Sequence, residues 1–274
     1  MILGFNIMQW IADRLTEAFN GLGNSIAPLV NMIGSTPLAF TTQNAVVIAA
    51  WRTMTTVADI FLGLLIVIGA IQMMYADTTG SSRIPLGQFV GKAILTALLI
   101  HLSAFIGEEL LTLNNLLCGL VGANIVDFIR SVNKGHLFDT QQTRVLAFVM
   151  AIVFGIGLFR VVFQAIKRVI RFNVLFVLSG PAFLTSFYPT TALVFSSWAR
   201  LYVTTIFEQF LQFLTFGMGL QFLIATKQTG LVGFILAVAM LNLTAEIPGL
   251  LTRFGATAGG QGGGLGSLFS TAVK

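Results

Sequence analysis

Within one long apolar run the chain places Arg200, Thr204, Glu208 and Gln212, each four residues after the last. On a helix that spacing draws a polar stripe down one face, continued by Thr215 and Gly219. An ionised carboxylate facing lipid is costly, so Glu208 must face protein or water, or be protonated. Hydrogen-bonded packing inside a helical bundle is the simpler reading of the stripe. An aqueous path, a proton relay or a direct substrate contact are the sharper ones. His101, inside another apolar run, is a second candidate proton carrier, though a lone histidine is more often a packing residue. Asp59 and Arg160 lie close enough to the ends of their runs to reach the interface along their own stems.

No enzymatic constellation accompanies these groups. The chain has no Gly-x-Ser-x-Gly, no His-Glu-x-x-His, no phosphate-binding loop and no paired aspartates of an intramembrane protease. Cys118 is the only cysteine, which excludes an internal disulfide and a cysteine-based metal site. The protein is therefore expected not to be an enzyme and to need no cofactor or metal.

Composition says what must position the stripe. Of 274 residues, 56% are hydrophobic and 9% charged, against about a quarter charged in ordinary soluble domains. Lipid offers the backbone no hydrogen-bond partners, and the apolar runs are continuous rather than alternating, so they predict helices and not a barrel. The fold class expected is all-α: a polytopic transmembrane bundle of five to six spans preceded by an N-terminal amphipathic helix. Candidate spans cover residues 57–76, 89–106, 145–162, 172–187, 195–225 and 231–247. Within residues 1–44, Met8, Ile11, Leu15, Phe19 and Leu22 recur at helical spacing, and a Gly- and Pro-punctuated loop follows. The bundle would occupy residues 45–254, with 107–144 as an extramembrane segment of short helices and 255–274 as a flexible glycine-rich tail.

The net charge of +5 is distributed mostly at run ends, where it orients spans. Lys167, Arg168 and Arg171 form the densest basic cluster and read as a cytoplasmic connector between the third and fourth spans. Alternation then leaves the N-terminus outside the cytoplasm. No Lys or Arg precedes the first apolar residues, so the first span is expected to direct insertion. Gly180 and Pro181 interrupt the fourth run, either as a proline kink or as the broken helix of a transporter. Pro248 is expected to end the sixth span.

The order of these features resembles a known family. A basic connector, a helix broken at Gly180 and Pro181, a loop opened by Pro189, then Trp198 with Arg200 and the Glu208–Gln212 stripe, and a last span closing at Pro248, is similar to the TrbL-type polytopic inner-membrane subunit of conjugative type IV secretion systems. The resemblance covers roughly residues 145–265. It implies a non-enzymatic subunit of the bacterial inner membrane with an exterior N-terminus, assembled as a homo-oligomeric ring of five copies. It also implies contacts with pilin or stalk subunits and secretion ATPases, and passage of single-stranded DNA or protein. The alternative from another class is a secondary transporter or ion channel using Glu208 and His101.

Overall fold

A computed structural model describes residues 33–79, 86–133, 144–188 and 190–257. The amphipathic pattern before residue 33, Pro189 and the tail beyond residue 257 lie outside the described residues. Six α-helices and one 3-10 turn, Leu38–Phe40, make up the described structure, and it contains no strand. The helices are α1 (Ala45–Thr79), α2 (Leu86–Asn133), α3 (Arg144–Val177), α4 (Ser179–Thr185), α5 (Ala192–Thr229) and α6 (Leu231–Thr257). Among the described residues, three stretches are long and apolar enough to cross a membrane: Ala45–Tyr75, Leu86–Gly122 and Leu231–Leu251. Exposed Ile60, Phe61, Leu64 and Val67 on α1, and Ile94, Leu95 and Leu98 on α2, give those helices the apolar outer faces that lipid requires.

Three boundaries differ from the sequence expectation. Residues 107–133 are not a separate segment of short helices but continue α2, which at 48 residues rises about 72 Å, more than twice a hydrocarbon core of about 30 Å. Leucines at 110, 111, 113, 116 and 117 keep a helical pattern through that stretch, and Asn114 turns inward, so the polar residues do not break it. The basic cluster is likewise no connector, because α3 runs unbroken through Lys167, Arg168 and Arg171. Its break comes later, at Leu178, before the single short turn pair of α4. Finally, Pro248 lies inside α6 instead of ending it.

The chain divides into two compact units, and α2, α3, α5 and α6 each contribute to both. In the unit formed by residues 37–112, 169–206 and 251 onward, α1 packs on α4. Gly180 makes that contact possible, since a Cβ there would stand 3.3 Å from the Thr55 Cα. Its core is aromatic. Trp198 stacks on Tyr202 at 5.0 Å, Tyr202 on Phe172 at 5.5 Å, and Phe183 meets the Trp198 ring edge-on at 5.5 Å. The indole N–H of Trp198 donates to the Leu175 carbonyl at 3.1 Å, and that of Trp51 to Ser103 Oγ at 2.9 Å.

The other unit comprises residues up to 36, 113–168 and 207–250. Here Leu158, Val161, Val162 and Ala165 of α3 pack with Phe213, Phe216 and Leu220 of α5 and with Ala237 and Leu241 of α6. The turn between α5 and α6 is the single residue Gly230, whose φ of 62° lies in the left-handed region that only glycine enters freely.

Candidate functional site

The most polar place among the described residues is the interior of this second unit. Glycine, threonine, asparagine, glutamine and arginine from four chain segments meet there beneath the aliphatic shell. Gly34 closes a helical stretch and Ser35 and Thr36 follow it outside any helix, so the backbone there needs other partners. Side chains supply them. The Asn115 amide closes on Thr36 from both sides: its Oδ1 accepts the Thr36 N–H at 3.0 Å and its Nδ2 donates to the Thr36 carbonyl at 3.0 Å. Gln209 Nε2 donates to the Gly34 carbonyl at 3.0 Å and to Asn115 Oδ1 at 2.9 Å, while its Oε1 accepts the Thr36 hydroxyl at 2.6 Å. Gly34 is held against the Phe213 ring so closely that a Cβ would collide with it.

Arg168 joins this clamp to the rest of the unit. Its guanidinium donates to Thr36 Oγ1 at 3.3 Å and to Gln212 Oε1 at 3.2 Å. Arg168 is 3% exposed, and so is Glu208, whose carboxylate acts on the guanidinium electrostatically. Gln212 Nε2 continues to Gln164 Oε1 at 3.2 Å, and Gln164 Nε2 reaches the Ala245 carbonyl at 2.7 Å. Ala245 lies three residues before Pro248, so Gln164 docks on the helix turn that contains the proline. One relay of amides thus runs from the Gly34 carbonyl to α6. Next to it, Asn114 is fully buried, and neither of its amide atoms has a hydrogen-bond partner.

The structure separates the residues that the sequence stripe grouped. Glu208 and Gln212 belong to this polar core, whereas Arg200 and Thr204 belong to the other unit, where the Thr204 hydroxyl bonds the Arg200 carbonyl of its own helix. Arg168 is the clearest correction. It is not a solvated member of a cytoplasmic cluster but a buried ion, tolerated because Glu208, Gln212 and Thr36 compensate it. Lys167 stays exposed, its Nζ 4.7 Å above the Phe163 ring, and Arg171 falls in the other unit. Gly180, Pro181 and Trp198 also lie there, as packing residues between α1, α3, α4 and α5.

His101 is not alone: its Nε2 stands 3.5 Å from Asp59 Oδ1, and both side chains are exposed, 61% and 40%. Four residues of the polar core did not stand out in the sequence stripe: Thr36, Asn115, Gln164 and Gln209. Gln164 did carry a signal, since Arg160, Gln164 and Arg168 recur at four-residue steps in an apolar run, while Thr36 carried none.

Chemically, the core orders hydrogen bonds and balances one buried cation with one buried anion. Among the described residues no group of three or more His, Cys, Asp or Glu is placed to hold a metal ion. The bonded amides point at one another, at backbone, at the Thr36 hydroxyl or at the Arg168 guanidinium, which makes the core a means of fixing four segments together. No protein-family profile matches the chain, and neither a curated protein nor a solved structure matches it.

Proposed function

We propose that the protein is a channel or assembly-platform subunit of a type IV secretion or conjugation apparatus in the bacterial inner membrane. The observation that carries this reading is the pairing of a membrane-type exterior with a core whose charges are spent on packing. Glu208, Gln212 and Arg168 are tied into one compensated network, as a scaffold subunit requires and as an ion-coupling site does not. The order of Gly180, Pro181, Trp198, Glu208, Gln212 and Pro248 along the chain supports the same assignment. Glu208 and His101, the pair a transporter would use, fall in different units.

In this reading α1, α2, α3, α5 and α6 cross the bilayer, giving five spans. The N-terminus lies outside the cytoplasm, an orientation that rests on the family resemblance now that Arg168 is part of the buried core. Several copies form a ring that engages pilin or stalk subunits and secretion ATPases, and single-stranded DNA or protein passes with its help.

The test is co-purification from native membranes in mild detergent, together with deletion of the coding sequence in a donor strain. A pilin-like subunit or secretion ATPase retained on the tagged protein, and lost transfer in the deletion, are the expected results. Solute-dependent ion flux by the purified protein alone in liposomes, with transfer intact in the deletion strain, would overturn the proposal. A reporter active only outside the cytoplasm, fused to the N-terminus, checks the orientation.

A further inference from the structure

A hydroxyl inside an apolar helix has a local way to satisfy itself, and several in this chain use it. Thr53 donates to the Ala49 carbonyl at 3.0 Å, Thr205 to Leu201 at 2.7 Å and Thr244 to Met240 at 2.7 Å, each one turn back. Ser103 and Ser196 reach three residues back, to Ile100 at 2.7 Å and Leu193 at 2.9 Å. Two buried hydroxyls do not. Thr55 of α1 is 7% exposed and Ser179 of α4 is 1% exposed, yet neither side-chain oxygen has a hydrogen-bond partner. A buried polar group left in that state calls for a ligand that can complete it.

Both residues belong to one contact. Ser179 adjoins Gly180, which brings α4 so near α1 that a Cβ there would stand 3.3 Å from the Thr55 Cα and 3.5 Å from the Met54 carbonyl oxygen. The same place is a break in the helix, because α3 ends at Val177 and α4 begins at Ser179. Pro181 has no N–H to offer the Val177 carbonyl four residues before it. The C-terminal end of a helix also carries a partial negative charge, and α3 is 34 residues long. Two hydroxyls and the Met54 and Val177 carbonyls thus gather at one break, all within the unit that contains residues 37–112 and 169–206. Asp59, the next carboxylate along α1, is turned to His101 instead.

We propose that this break binds one Na+, with Thr55 Oγ1 and Ser179 Oγ as side-chain ligands and backbone carbonyl oxygen completing the set. Broken helices in membrane proteins hold Na+ in this manner, through freed carbonyls and the C-terminal end of a helix. Neutral oxygens suit a monovalent ion, whereas Ca2+ and Mg2+ sites are built on carboxylates. Sodium is also the smaller of the two abundant monovalent cations, which fits oxygens held as close as Gly180 allows. The ion ties α4 to α1 and fixes the bend at Leu178, and this role requires no ion flux. It does not depend on which apparatus the chain serves, so its failure leaves the proposed function standing.

Unfolding of the full chain in detergent micelles tests it, in NaCl, KCl or choline chloride at equal ionic strength. Tryptophan fluorescence is the signal, since Trp51 and Trp198 lie in the same unit as the break. Once the site is filled, a single bound ion shifts the unfolding equilibrium about tenfold for each tenfold rise in free Na+, and neither other salt does so. Thr55→Val and Ser179→Ala each abolish the Na+ response, whereas Thr55→Ser, which keeps the hydroxyl, retains it. Equilibrium binding of radioactive Na+ to the purified protein gives a second readout: a single ion per chain, lost in Ser179→Ala and Thr55→Val. An equal shift in KCl or choline chloride is a general salt effect and overturns the site. So does Na+ binding that survives in both variants, which places the ion elsewhere. A native chain that neither responds to Na+ nor retains it also overturns the proposal, and means that the two hydroxyls are served by an internal water.

Discussion

Replacing Arg168 by Met removes the cation from the polar core while keeping much of its aliphatic volume. At 3% exposure, Glu208 is then left as a buried anion without that charge opposite it, and Gln212 Oε1 and Thr36 Oγ1 each lose a donor. Breaking a buried pair from one side typically costs about 3–5 kcal/mol, which shifts a folding equilibrium by about two to three and a half powers of ten. Removing both charges behaves differently, because the desolvation cost of each ion disappears with it. Arg168→Met with Glu208→Gln should therefore recover most of the loss, to within about 1–2 kcal/mol of the native chain. Reversible unfolding in mixed detergent micelles, followed by tryptophan fluorescence, measures all four corners of this cycle. A single Arg168→Met variant that loses under about 1 kcal/mol refutes the claim that Arg168 is a buried, compensated ion. A double variant as unstable as the sum of the two single ones refutes the coupling between Arg168 and Glu208.

Asn114, fully buried with neither amide atom partnered, should be replaceable by Leu with a gain of about 1–3 kcal/mol in the same unfolding assay, and a loss of stability would mean that the amide has a partner. Gly180→Leu should cost about 1–3 kcal/mol by overpacking α4 against the Thr55 backbone, and should also raise the proteolytic sensitivity of α1; a neutral result would contradict the close approach. Trp198→Phe deletes the indole N–H that serves the Leu175 carbonyl, and a loss of about 1–2 kcal/mol is expected from the unpaired carbonyl and the reduced ring contact; wild-type stability would show that the bond contributes nothing.

The helical class and the apolar exterior were legible because they depend on composition and run length alone. Glu208 and Gln212 were legible as well, since a carboxylate and an amide in the middle of an apolar run have few places to go. What could not be read is compensation between distant positions. Three cations in five residues look like a solvated connector, and only the partners of Arg168, 132 residues before it at Thr36 and 44 after it at Gln212, turn one of them inward. For the same reason α2 reads as interrupted near residue 107, because hydropathy registers Glu108, Glu109, Asn114 and Asn115 as polar without knowing which of them point into a core. Pro248 misleads in the opposite direction. Its missing N–H removes one bond of the ladder, to the carbonyl of Thr244, yet the helix goes on to Thr257.

The clamp on Gly34–Thr36 also sets an order of events during synthesis. Thr36 emerges early, yet its partners follow only later: Asn115 after 79 residues, Arg168 after 132 and Gln209 after 173. At about 5–20 residues per second, the last of these arrives roughly 9–35 s after the segment it must hold. Until then the Thr36 N–H and the carbonyls of Gly34 and Thr36 lack these partners and must stay with water or with the insertion machinery. The unit cannot close before α5 has been made. A chain released before that point carries an N-terminal segment with nowhere to dock, which makes it a natural target for membrane quality-control proteases.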